Sequence, residues 1–149
     1  MDRQERLGLH ARIGGTRAAL QVTETLDQFV AAERIPEGIA WRLRVALDEI
    51  VANLVAHTMP ARPGGPPAFD LWLRVDSGVV QITIADDGPP FNPLLHPDPD
   101  VTSPLEVRKP GGLGIALVKS LMDDVQYERT DRNVLTLRTG IDEHPTDGK

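Results

Sequence analysis

With 149 residues, a formal net charge of −6 and an isoelectric point near 5.1, the chain is sized for one domain with one core, and its acidity, with no Lys/Arg block, argues against nucleic acid or an anionic membrane as its main partner. It has no cysteine, which excludes disulfides and thiolate metal sites, and its four histidines (His10, His57, His96, His144) are too scattered to suggest zinc. The start, Met1-Asp2-Arg3-Gln4-Glu5, lacks a signal-peptide apolar core and no apolar run is long enough to span a bilayer, so a soluble cytoplasmic protein is the expectation.

Leu7, Leu9, Ala11 and Ile13 alternate with polar or small residues, a strand pattern that Gly14-Gly15 ends. From Thr16, read as the N-cap, Ala19, Val22, Leu26, Phe29 and Val30 recur at helical spacing as far as Ile35. Pro36 fits the first turn of a second helix that runs up to Met59-Pro60. Its apolar stripe is Ile39, Leu43, Ala46, Ile50 and Leu54; beside it Glu49, Asn53 and His57, each four residues apart, form a polar file where core meets cavity. The Asn oxygen can ligate a hard cation such as Mg²⁺, and the Glu can take a proton from a nearby water or hydroxyl. His57 is read as a packing or hydrogen-bonding residue.

Residues 59–67, rich in proline and glycine, form a loop. Phe69, Leu71, Leu73 and Val75 then alternate with polar neighbours, Asp76-Ser77-Gly78 turns the chain, and Val80, Ile82 and Ile84 alternate in a second strand of a hairpin. Residues 88–111 carry seven prolines and few apolar anchors, which reads as a functional lid. Gly111-Gly112-Leu113-Gly114 opens a third helix with Ile115, Val118, Leu121 and Met122 inward. Val125 and Tyr127 begin another strand, Asp131-Arg132-Asn133 turns, Val134 to Arg138 return, and residues 139–149 are a polar tail.

Asp86 shares the parity of Val80, Ile82 and Ile84, so either its carboxylate points inward or the strand ends early and Asp86 opens a turn with Asp87-Gly88. A buried lone carboxylate needs a partner. Nothing nearby in sequence offers a cation, whereas a ligand amine such as that of adenine would satisfy it. The glycines before the third helix offer unhindered N–H groups and a helix N-terminal dipole to phosphate oxygens, or serve only as a flexible lead-in. Arg108 and Lys109, upstream in the lid, can reach a terminal phosphate or simply be solvated.

Glu49-x-x-x-Asn53 on a helix, Asp86-x-Gly88 at a strand end and Gly112-x-Gly114 after a long lid stand in the order of the N box and the two glycine boxes of the GHKL ATPase superfamily, which the chain resembles over roughly residues 5–138. The runs Asp86-Asp87-Gly88-Pro89-Pro90-Phe91-Asn92-Pro93, Gly111-Gly112-Leu113-Gly114-Ile115 and Leu121-Met122-Asp123 look like those of the small anti-sigma-factor serine/threonine kinases of bacterial partner-switching systems. The resemblance implies one α/β two-layer sandwich of the Bergerat type over residues 1–149, with helices on one face of a mixed, mostly antiparallel sheet. It implies ATP and Mg²⁺ as cofactors, Asn53 as the Mg²⁺ ligand, Glu49 as the general base, Asp86 as the reader of adenine and Gly88 as the glycine below the base. Gly112, Leu113 and Gly114 become the phosphate-binding turn, with Arg108 and Lys109 beside it. Two departures stand out. Pro90 replaces a frequent glycine and stiffens the start of the lid, and Asp131-Arg132-Asn133-Val134 replaces a frequent Gly-Thr, which argues against an adenine contact from the final strand.

The implied activity is transfer of the ATP γ-phosphate to a Ser or Thr of a STAS-domain anti-anti-sigma protein that competes with a sigma factor or other client for the kinase. Family members often dimerise, which leaves a homodimer open. A second reading is an ATP-gated binding module with little turnover, against which Glu49 argues, since binding alone has less need of a base. A histidine kinase catalytic domain would need a hairpin bearing a phosphoacceptor His, and gyrase-like or MutL-like hydrolysis would need a transducer domain.

Overall fold

The computed structural model describes residues 8–55, 68–95 and 112–142, with Gly112 and Leu113 by backbone only. Among the described residues five strands and three α-helices follow in the order β1 (Leu9–Gly14), α1 (Ala18–Glu33), α2 (Glu37–Asn53), β2 (Ala68–Asp76), β3 (Val79–Asp86), α3 (Gly112–Leu121), β4 (Asp124–Arg129) and β5 (Asn133–Gly140). The sheet order is β1-β2-β3-β5-β4.

All four pairings are antiparallel, so the mixed sheet expected from the sequence is antiparallel throughout its described strands. The reason lies in the α3 crossover. It joins β3 to β4, which point the same way, but β5 inserts between them and pairs antiparallel with both.

Alternation along the strands sorts the two sheet faces. Phe69, Leu71, Leu73, Val80, Ile82, Ile84, Leu135 and Leu137 are buried on the face that α1, α2 and α3 cover, and each such side chain removed from water contributes about 1.5–3 kcal/mol. On the other face stand Trp72, Arg74, Gln81 and Thr83, with His10 stacked on Trp72 at 4.9 Å between ring centroids. Ser77 and Gly78, both with positive φ (54° and 76°), make the two-residue turn that joins β2 to β3.

The helices follow their stripes with small shifts. Gly15, at φ 82°, bends the chain into a 3₁₀ turn over Gly15–Arg17 that absorbs Thr16, so Arg17 rather than Thr16 is the N-cap of α1, without a side-chain cap bond. Ala18, four residues before Val22, therefore takes the buried place expected of Ala19, which is exposed. Pro36 is the N-cap of α2 and accepts its first bond, from Ala40 N–H at 2.8 Å. Ile39, Leu43, Ala46, Ile50 and Leu54 are all buried as the stripe requires. The loop over 59–67, His57, the lid beyond Leu95 and the tail from residue 143 lie outside the described residues, among which no helix is long and apolar enough to cross a membrane.

Candidate functional site

The site forms where the C-terminal turn of α2 faces the end of β3 and the start of β5. Ile84 and Leu135, neighbours across β3 and β5, give it an apolar floor; Ile50 and Leu54 of α2 give it a wall. Asn53, Asp86 and Asn133 supply its polar groups, and Phe91, Pro93 and Tyr127 complete its lining. The enclosed part of the cleft is about 30 Å³, and the rest opens to solvent. An apolar slot with a few convergent polar groups is the ordinary make-up of a small-molecule site.

Asp86 is 4 % exposed and points inward, which decides the parity question in favour of the buried carboxylate. Its Oδ1 accepts from the N–H of buried Gly88 at 2.9 Å and from Asn133 Nδ2 at 3.0 Å. Its Oδ2 has no hydrogen-bond partner among the described residues. A carboxylate oxygen that faces a cleft without a protein donor is an acceptor open to a ligand N–H.

Asn53 presents the second such group. Its side-chain nitrogen is buried with no hydrogen-bond partner. A carboxamide can be turned so that either its oxygen or its nitrogen takes that place, so the observation is of an unpaired polar end in the cleft. One turn earlier on α2, half-buried Glu49 has its carboxylate against the backbone at the start of α3, where a Cβ on Gly114 would collide with Glu49 Oε1. Glycine at 114 leaves the Glu49 carboxylate in this place, which a side chain there would displace.

The structure therefore gathers Glu49, Asn53, Asp86, Gly88 and the Gly112-Leu113-Gly114 turn around one end of the sheet, with the turn in the first residues of α3. Arg108 and Lys109 lie outside the described residues. Sequence reasoning did not single out Phe91, Pro93, Tyr127 or Asn133 as residues of the cleft. β5 starts at Asn133 and sets its side chain in the cleft, directly across from Asp86, where the amide is engaged by protein groups. The one available signal was parity, since Asn133 shares the inward face with Leu135 and Leu137.

This donor set fits an adenine nucleotide with a hard cation. Mg²⁺ is commonly held by one or two protein oxygens together with substrate phosphates, and the Asn53 carboxamide oxygen is the group on α2 that would hold it here. Residues 15–139 match the histidine kinase-like ATPase domain family.

The chain belongs to that family. The serine/threonine-protein kinase BtrW of Bordetella bronchiseptica is 33 % identical over 132 residues, covering 77 % of this chain and 92 % of that one. The serine-protein kinase RsbW of Listeria monocytogenes is 27 % identical over 88 residues, 56 % of this chain and 55 % of that one. These relationships place the chain among the protein kinases of the family. The RsbU and RsbW domains of Rv1364c from Mycobacterium tuberculosis share the fold, at a TM-score of 0.65 and 16 % identity over 89 % of this chain and 31 % of that one.

Proposed function

We propose that the protein is an anti-sigma-factor-type serine/threonine kinase, which binds Mg²⁺-ATP in the cleft and phosphorylates a Ser or Thr of a STAS-domain antagonist, thereby freeing or capturing a sigma factor or similar client. The observation that carries this reading is the convergence of the unpaired Asp86 Oδ2 and the unpaired Asn53 amide in one cleft, with Glu49 one turn along the same helix.

Each residue then has a stated task. Asp86 accepts the exocyclic amine of adenine on Oδ2, and Ile50, Ile84 and Leu135 exclude water from the ring. Asn53 holds the cation, which when bound offsets the phosphate charge during transfer. The N–H groups at the start of α3, in the Gly112-Leu113-Gly114 turn, take phosphate oxygens, and Arg108 and Lys109 of the lid approach the terminal one. Glu49 orients the acceptor hydroxyl and takes its proton, from a position beside the phosphate-binding turn that glycine at 114 leaves open.

The test is transfer of labelled γ-phosphate from Mg²⁺-ATP to the STAS-domain protein encoded nearest this gene, with Glu49→Gln as the comparison. Transfer by the parent and loss in the variant is the expected result. ATP binding by the parent without transfer would instead favour the ATP-gated binding module, and regulation of the client by Glu49→Gln would then match the parent.

A further inference from the structure

We infer that Asn133 is the positioning residue that makes the cleft select an exocyclic amine on the purine base; the inference rests on the adenine-nucleotide reading above and extends it. Asn133 is 5 % exposed and sits in the non-local pair Asp86↔Asn133 at the edge of β3 and β5. Its amide is fully engaged and its orientation is dictated by its neighbours. On the nitrogen side it meets only acceptors: Asp86 Oδ1 at 3.0 Å, Pro89 O at 2.9 Å and Gly88 O at 3.4 Å. On the oxygen side it meets only donors, the Phe91 N–H at 3.2 Å and the Tyr127 hydroxyl at 2.6 Å.

Two consequences follow for the base. First, the bonds from Gly88 N–H and Asn133 Nδ2 both fall on Asp86 Oδ1, which fixes the carboxylate so that Oδ2 is the oxygen left for the ligand. Second, Asn133 spends its own donors on the protein, so it offers no hydrogen to an oxo group on the base. At the β3–β5 end of the slot the polar edge is therefore the Asp86 acceptor, with no donor offered by Asn133. A 6-amino purine satisfies it, whereas a base lacking that amine leaves Oδ2 buried and unpaired, the kind of mismatch that discriminates most strongly. Arg129 Nη1, bonded to Gly88 O at 2.9 Å, holds the same loop from β4 without touching the carboxylate.

The experiment compares equilibrium binding of ATP and of purine riboside triphosphate, which lacks the exocyclic amine, to the full chain. The parent is expected to prefer ATP at least about tenfold, and Asn133→Ala to bring that ratio to within about twofold of one. A residue that merely braced the fold would weaken both ligands alike, so an Asn133→Ala chain that keeps the parental ratio overturns the proposal. Tyr127→Phe removes only the hydroxyl that anchors Asn133 and leaves the backbone contacts in place; its ratio is expected to fall between the two. If Asn133→Ala does not fold, a parental ratio in Tyr127→Phe overturns the proposal by itself. A parent that binds both nucleotides equally would instead sink the reading of Asp86, and the role of Asn133 with it.

Discussion

Glu49 and Gly114 share one space: the carboxylate of the first lies where the side chain of the second would be. The contact ties α2 to the start of α3, and so ties the proposed base to the proposed phosphate-binding turn. Gly114→Ala forces either the Glu49 carboxylate or the helix start to move. The atom in the way is the end of a flexible, half-buried side chain, so the expected loss in unfolding free energy is at most about 1 kcal/mol, together with loss of phosphoryl transfer. Adding Glu49→Ala should return most of that stability but no activity. A double-mutant cycle by urea unfolding tests it, and additive effects would show that the two residues do not compete for space.

Asp86→Asn keeps the loop and alters the base edge. The new amide can still accept from Gly88 N–H and Asn133 Nδ2 with its oxygen, which turns its NH₂ toward the ligand amine, donor against donor. ATP affinity should fall by roughly ten- to hundredfold, about 1.5–3 kcal/mol, with little change in melting temperature. Titration calorimetry reads the first and thermal unfolding the second; parental affinity would mean that Oδ2 does not meet the base.

Asn53→Ala should uncouple nucleotide binding from Mg²⁺. The parent is expected to bind ATP more tightly with Mg²⁺ than with a chelator, and the variant to bind equally in both. The ligand-free variant should be at least as stable as the parent, because it loses a buried amide with an unpaired end and gains a better helix former. A drop of more than about 1 kcal/mol in unfolding free energy would show that the amide is satisfied in the free protein.

Asp70 links β2 to β1 and to the turn before β5 on the open face of the sheet. Its carboxylate lies 2.9 Å from His10 Nε2 and accepts from Arg12 Nη1 at 2.7 Å and Arg132 Nη2 at 2.8 Å. Burial pushes its pKa up, but the hydrogen bonds from His10 and Arg132 and the charge of Arg12 outweigh burial and hold it below the ordinary 3.8. A depressed carboxylate pKa stabilises the fold above the unfolded-state value, and the stabilisation is lost as pH falls through the folded-state value. Asp70→Asn should therefore cost roughly 0.5–1 kcal/mol at neutral pH, since His10 and Arg12 are about half exposed, and its unfolding free energy should converge on the parent's as pH falls below about 4 and through the lower folded-state pKa. Urea unfolding across that range decides; parallel curves would show that Asp70 titrates alike in both states.

Local periodicity determined much of this protein from its sequence. The period-two runs in β2 and β3 put Phe69, Leu71, Leu73, Val80, Ile82 and Ile84 inside, and the same parity carried Asp86 inward with them. The helical stripe of α2 placed Glu49 and Asn53 at the boundary of the core, and the glycines marked the start of α3. Those regularities arise from neighbours a few residues apart, which is why one chain suffices to read them.

Only the tertiary structure decided what surrounds Asp86. Its partner Asn133 is 47 residues away, and the pair exists because β5 inserts beside β3 rather than outside β4, an ordering set by the packing of the whole sheet. The same insertion brings Tyr127 across from Leu135, and with it the hydroxyl that orients Asn133. In sequence Asn133 is a residue of a polar turn; in the fold it is a buried amide with every hydrogen bond assigned, because strand pairing brings together groups that chain proximity cannot.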